Sequence, residues 1–221
     1  MKTKCFVLFL FICFNVYSQL PKGFVYAEHI IPNLEVELRY YSDNNFVGSR
    51  IDGYTSDKLI LTYDVVIALK KVQEELQQKN LGLKIYDGYR PQRGVNHFIL
   101  WAKDLNDTIN KKYFYPNVAK KDLFKEEYIA SRSGHSKGST VDLTIINTVT
   151  KTELDMGSPY DFFGHESWVN YQAISPTQKA NRQLLQQVML KYGFRNYLKE
   201  WWHFTLKNEP FPKTYFDFVI K

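Results

Sequence analysis

Apolar residues along 63–80 recur at helical spacing, with Val65, Val66, Leu69, Val72 and Leu76 on one face and Gly82 just beyond. The pattern predicts a helix there. Glu35-Val36-Glu37-Leu38-Arg39-Tyr40 alternates polar and apolar residues and predicts a strand. Residues 83–86 read as a short strand delivering the turn Asp87-Gly88-Tyr89-Arg90-Pro91, and the fixed φ of Pro91 suits the first turn of a helix through Phe98 and Trp101. The β-branched run 141–146 predicts a buried strand. Ser175-Pro176 caps a helix to about Tyr192, closed by Gly193, and the aromatic segment 201–206 supplies the last core strand. Long connections over 106–135 and 147–175 break any regular βαβ repeat, so the expected fold is α+β: one domain, with a mainly antiparallel central sheet flanked by helices.

The first residues change the picture of where this domain begins. Met1-Lys2-Thr3-Lys4 precedes an apolar stretch and then Val16-Tyr17-Ser18, a basic start, apolar middle and small residue that read as a signal peptide over 1–18. The apolar stretch falls short of the ~20 residues of a membrane-spanning helix, so the expected mature chain, 19–221, is exported to the periplasm or secreted without stable membrane insertion. Phe11-Ile12-Cys13 lacks the small residues that precede a lipidated cysteine. Cys5 and Cys13 are the chain's two cysteines, and both lie in this leader. The mature domain therefore has no disulfide, no thiolate ligand and no cysteine nucleophile.

Without Lys2 and Lys4, the 29 basic residues become 27 against 23 acidic ones. This mild, scattered excess carries no nucleic-acid-binding pattern, and an anionic cell wall is a compatible neighbour.

Two histidine segments carry candidate chemistry. In Ser133-Gly134-His135-Ser136-Lys137-Gly138-Ser139-Thr140-Val141-Asp142, a glycine-rich turn leads into a strand bearing a carboxylate. In Glu200-Trp201-Trp202-His203, a carboxylate stands three residues before a histidine. His135, Asp142 and His203 would leave a tetrahedral zinc one open position for water, the layout of catalytic zinc. Glu200 suits the general base that accepts that water's proton. Arg90 suits an oxyanion, because guanidinium is always charged.

These segments resemble the D-Ala-D-Ala metallopeptidases, whose pattern S-x-H-x-x-G-x-A-x-D is followed by E-x-x-H, and Glu200-Trp201-Trp202-His203 is similar to their VanX-type dipeptidase branch. Tyr40, Tyr54, the Gly88-Tyr89-Arg90-Pro91 turn and Leu154-Asp155-Met156-Gly157 before Asp161 extend the resemblance over roughly 34–204. Thr140 departs from it, standing where the motif has alanine. The resemblance implies a hedgehog-like fold, one zinc per chain on His135, Asp142 and His203, and Glu200 as base and later acid. It also implies Arg90 at the oxyanion, Asp161 at the substrate ammonium, and Ser133 with Tyr54 near the substrate carboxylate. The implied partner is a small D,D-dipeptide and the implied reaction is hydrolysis of D-Ala-D-Ala in cell-wall turnover.

Two rivals remain at this level: a carboxypeptidase or endopeptidase trimming longer wall peptides, and a zinc-stabilised binding module without turnover. Glu200 and Arg90 speak against the second, since holding zinc needs neither. His165-Glu166-Ser167-Trp168-Val169 nearly spells H-E-x-x-H, but valine cannot bind a metal. Gly134-His135-Ser136-Lys137-Gly138 matches G-x-S-x-G, yet a serine-hydrolase elbow requires a strand before it and a helix after it, the reverse of the order expected here. His29 and His97 lack partner patterns, and the aromatic run Phe211, Tyr215, Phe216 and Phe218 reads as core packing.

Overall fold

The computed structural model describes residues 20–221, so the leader over 1–18 and its cleavage point lie outside the described residues. No helix among the described residues is long and apolar enough to cross a membrane.

In chain order the strands are β1 (Phe24–Tyr26), β2 (Glu35–Val36), β3 (Ile60–Thr62), β4 (Leu81–Asp87), β5 (Thr140–Asn147), β6 (Phe194–Tyr197) and β7 (Glu200–Leu206). The helices are α1 (Tyr63–Gln77), α2 (Gln92–Lys103), α3 (Lys111–Phe114) and α4 (Pro176–Lys191). A five-stranded sheet has the order β2-β4-β5-β7-β6, in which β2 and β4 run parallel and every other neighbour pair is antiparallel. The sheet is thus mixed but mainly antiparallel. β1 and β3 form a separate antiparallel pair.

The helical face predicted for α1 is the one that packs: Val65, Val66, Leu69 and Val72 are fully buried, and Leu76 is nearly so, against β4, β5 and α4. α1 ends at Gln77, earlier than the pattern predicts, because Asn80 takes a left-handed conformation (φ 57°) and starts β4 at once. Gly82 therefore lies inside the strand. α4 begins with a capping box, Ser175 accepting from the Gln178 backbone while the Gln178 side chain accepts from the Ser175 N–H. Pro91 is the cap residue just before α2.

The predicted strand over 35–40 is corrected to two residues. β2 breaks off after Val36, and Arg39–Tyr41 form a 3-10 turn that carries the Tyr40 ring into a second, aromatic core. Phe46, Phe98, Trp101, Tyr115 and Phe163 pack there. The C-terminal aromatics join it too: Phe24 lies against Phe211, Phe216 and Phe218, while Tyr89 stacks on Phe218.

Candidate active site

β5 and β7 run antiparallel in a register that sets Asp142 directly opposite His203. Alternation sends Val141, Leu143 and Ile145 of β5, with Trp202, Phe204 and Leu206 of β7, into the helix-covered core. Asp142 and His203 consequently project together from the other face. β4 adds a carboxylate through a bulge: Ile85 pairs with Leu143, but Asp87 pairs with Asp142. The extra residue brings Asp87 onto the face of Asp142, where regular alternation would have sent it into the core.

His135 arrives on the 3-10 turn Gly134–Lys137, capped by Ser133, whose Oγ accepts from the His135 N–H at 3.3 Å. Gly138 closes the turn at φ 73°, where a Cβ would lie 2.2 Å from Phe24 Cε1, so a side chain is excluded by both backbone and space. His135 Nδ1 donates to the Gly88 carbonyl at 2.7 Å, which fixes the tautomer and leaves Nε2 as a lone-pair donor.

Three potential ligand atoms converge. His135 Nε2 lies 3.3 Å from Asp142 Oδ2 and 3.4 Å from His203 Nδ1, which lies 3.1 Å from Asp142 Oδ1. One ligand atom from each of these residues falls within 4.8 Å of the others. Glu200 Oε2 is 3.3 Å from His203 Nδ1.

The set fits a metal cation on two counts. Asp142 Oδ1 is buried with no well-formed hydrogen bond, its nearest partner being His203 Nδ1 at 3.1 Å, and a cation between the two would satisfy both atoms. The charge balance also attracts one: burial opposes a charge on His203, yet Asp142 and Glu200 outweigh it and push its pKa up to about 10. The same two carboxylates would attract a metal cation. Burial likewise opposes ionisation of Asp142, and the two histidines outweigh it and hold the carboxyl below its ordinary range. Two imidazoles and a carboxylate are a zinc-type donor set.

Arg90 forks onto Asp87 Oδ2, with Nε at 2.9 Å and Nη2 at 2.8 Å, and Nη2 stands 3.6 Å from Asp142 Oδ2. Its guanidinium packs over Tyr40 (4.8 Å) and Phe98 (5.1 Å). Asp161 accepts a 2.8 Å hydrogen bond from Tyr40, and burial followed by the charge of Asp142 lifts its carboxyl well above the ordinary range. A cavity of about 290 Å³ opens over these groups, and Arg90, Ser133, Asp161 and Glu200 line it with His135, Asp142 and His203.

Tyr54 does not line this cavity. It is buried behind it and donates to Asp87 Oδ1 at 2.6 Å, so its expected place near the substrate carboxylate is corrected to support of Asp87. Asp87, Tyr160 and Arg182 are further polar contributors that the sequence reading passed over. Tyr160 donates to Asp142 Oδ2 at 3.2 Å. Arg182 of α4 donates to the carbonyls of Met156 (2.5 Å), Glu166 (2.6 Å) and Trp168 (2.8 Å), fixing the segment that carries Asp161. The Asp-Gly-Tyr-Arg-Pro turn held the signal for Asp87. Nothing local in α4 marked Arg182, whose partners lie on a distant loop.

The decoys fall away on geometry. Ser136 is fully buried in the 3-10 turn, followed by a strand, so no nucleophile elbow exists there. His165 is exposed and packs on Trp168 at 4.3 Å.

The M15 peptidase family model described as D-ala-D-ala dipeptidase matches residues 21–221. A D-alanyl-D-alanine dipeptidase of Enterococcus faecium is 36% identical over 199 residues, covering 90% of this chain and 98% of that protein. One from Streptomyces coelicolor is 37% identical, covering 89% and 98%, and one from Escherichia coli K12 is 32% identical, covering 80% and 81%. Among solved structures, a zinc-bound vancomycin-resistance D,D-pentapeptidase, VanY, is similar at a TM-score of 0.41 and 14% identity, covering 69% of this chain and 76% of its own. With the family model spanning the described domain and three relatives above 30% identity over most of their length, the chain belongs to the D-alanyl-D-alanine dipeptidase family of metallopeptidases.

Proposed function

We propose that this chain is a zinc-dependent dipeptidase that hydrolyses free D-Ala-D-Ala in cell-wall turnover outside the cytoplasm. The observation that carries the reading is the convergence of His135, Asp142 and His203 within 4.8 Å, beside a further carboxylate, Glu200, 3.3 Å from His203 Nδ1 and outside that set. The D-alanyl-D-alanine dipeptidases to which it is similar support the substrate. The basic-apolar leader over 1–18 supports export.

His135, Asp142 and His203 would hold a zinc ion, which when bound would supply Lewis acidity and make water more acidic near neutral pH. Glu200 takes the proton of the attacking water and returns it to the leaving amine. Arg90, held by Asp87, offers fixed guanidinium N–H groups to the developing oxyanion. Asp161 pairs with the substrate ammonium, and Ser133 offers its hydroxyl to the substrate carboxylate. Tyr40 orients Asp161 through its 2.8 Å bond.

The test compares catalytic efficiency on D-Ala-D-Ala, N-acetyl-D-Ala-D-Ala and L-Ala-L-Ala with zinc-loaded protein. The free D,D-dipeptide is expected to be cut far faster than either. Acetylation removes the ammonium and leaves Asp161 buried without its partner, a loss of a few kcal/mol or about 100-fold. Equal rates on the acetylated peptide would assign the chain to a carboxypeptidase instead.

A further inference from the structure

Tyr128 lines two cavities at once. One is the catalytic cavity of about 290 Å³ and the other is a larger one of about 570 Å³. The boundary between them is sharp in the sequence: Glu127 and Phe163 face the catalytic cavity, whereas their chain neighbours Glu126 and Gly164 face the other. Tyr128 and Phe163 stack across that boundary, ring centroids 4.9 Å apart at 17°. Phe163 and Asp161, two residues apart, line the catalytic cavity together with Tyr128, so the stacked pair and Asp161 bound the same space.

The segment bearing Tyr128 is braced into position. Glu127 adopts φ 65°, an unfavourable conformation for a side-chain-bearing residue, which persists because the surrounding contacts over-determine it. The Tyr128 and Ile129 N–H groups both donate to Leu123 O, at 3.0 and 3.2 Å. Lys199, next to Glu200, pairs with Glu127 at 2.7 Å and donates to Glu126 O at 3.1 Å. The β6–β7 turn that presents Glu200 therefore also anchors the wall.

Resting on the dipeptidase reading above, we propose that Tyr128 is the specificity-determining residue that limits the substrate to two residues at its amino end. Its ring separates the catalytic cavity from a space that would otherwise hold an N-terminal extension. Asp122, Glu126 and Glu166 line that space, so the extension it suits is a residue with a cationic side chain.

The probe is therefore L-Lys-D-Ala-D-Ala, set against D-Ala-D-Ala, in wild type, Tyr128→Ala and Tyr128→Phe. Tyr128→Ala is expected to raise the tripeptide-to-dipeptide ratio of kcat/KM by on the order of 10- to 100-fold. Tyr128→Phe, which keeps the ring, should leave that ratio near wild type. Tyr128→Leu, which removes the stack with less loss of volume, takes the place of alanine if that variant does not fold. Calorimetric binding of the same peptides in a Glu200→Gln background reads the wall without turnover: the tripeptide should bind only when Tyr128 is also truncated. An unchanged ratio in a folded truncation variant, or a wild type that cuts or binds the tripeptide as well as the dipeptide, overturns the proposal. A wild type that cuts neither peptide sinks the dipeptidase reading alone, because the binding arm still decides whether Tyr128 is the wall.

Discussion

Tyr54 donates a 2.6 Å hydrogen bond to Asp87 Oδ1, and the other oxygen of that carboxylate holds Arg90. Three residues from two segments, the Tyr54 loop and β4 with the turn that follows it, thus act in series, with only Arg90 facing the cavity. Burial pushes the Tyr54 hydroxyl well above its ordinary pKa, so it remains a donor. Tyr54→Phe is expected to lower kcat by roughly 10- to 100-fold, the worth of one hydrogen bond to a charged group, with little change in KM. Steady-state kinetics of a double-mutant cycle check the route: the loss should vanish in an Arg90→Ala background. A Tyr54→Phe penalty that persists undiminished there would mean that Tyr54 acts independently of Arg90.

Arg182 is a structural keystone of the same site at longer range. Its guanidinium serves three carbonyls around the segment 156–168, and burial lowers its pKa to about 10. Arg182→Met keeps the apolar stem and strands those carbonyls, so it should cost about 2–4 kcal/mol of unfolding free energy. KM for the dipeptide should rise, because Asp161 rides on that segment, while bound metal stays stoichiometric. Denaturant unfolding, kinetics and metal analysis together separate this from a general collapse.

The convergence of Asp142 and His203 was legible because alternation and register are local properties: both lie on strands whose other residues announce the core face. α1 and α4 were legible for the same reason, one through its stripe and the other through its cap. What the sequence hid depends on departures from regularity. The bulge that re-aims Asp87 leaves no compositional mark, and a strand pattern over 35–40 does not disclose that Tyr40 is needed in another core. β6 was missed because its four residues, Phe194-Arg195-Asn196-Tyr197, are too few for periodicity. Tyr54 was misplaced because a motif match identifies a residue as part of the site without saying which of its neighbours it touches.

The C-terminal segment straps the Arg90 turn from outside. Asp217 accepts from the Arg93 N–H at 2.8 Å and from the Arg93 side chain at 2.9 and 3.1 Å, and Gln92 N donates to Phe216 O at 3.0 Å. Burial pushes the Asp217 carboxyl up, but the Arg93 contacts outweigh it and the net shift is downward. A carboxyl depressed in the folded state stabilises fully above its unfolded pKa, about 4, and loses that contribution as pH falls through the lower folded value. Both side chains are nearly half exposed, so solvent screening limits Asp217→Asn to under about 1 kcal/mol at pH 7. Thermal midpoints at pH 7 and pH 3 should show the gap between wild type and variant closing in acid. A gap that widens in acid would contradict the pairing.

Metal retention and turnover should come apart at Glu200. His135→Ala, Asp142→Ala and His203→Ala each remove one of three donors that converge within 4.8 Å, and each should lose most bound zinc on dialysis. The deletions are not equivalent electrostatically. Losing Asp142 removes the only carboxylate of the donor set and leaves two imidazoles facing each other at 3.4 Å, so its metal affinity should fall furthest. Glu200 sits beside His203 without belonging to that set, so Glu200→Ala should keep zinc and lose nearly all turnover. Arg90→Ala should keep zinc too, with kcat reduced on the order of 10²–10³-fold if its guanidinium meets the oxyanion. Zinc per chain, measured beside kcat for the five variants, gives two classes. Stoichiometric zinc in a histidine variant would move the metal elsewhere, and near-wild-type turnover in Glu200→Ala would remove it as the base. The contrast is sharp because Glu200 and His203, three residues apart on β7, meet only through the register shift between β6 and β7, and the histidine nitrogen alone of the two belongs to the group that could hold a metal.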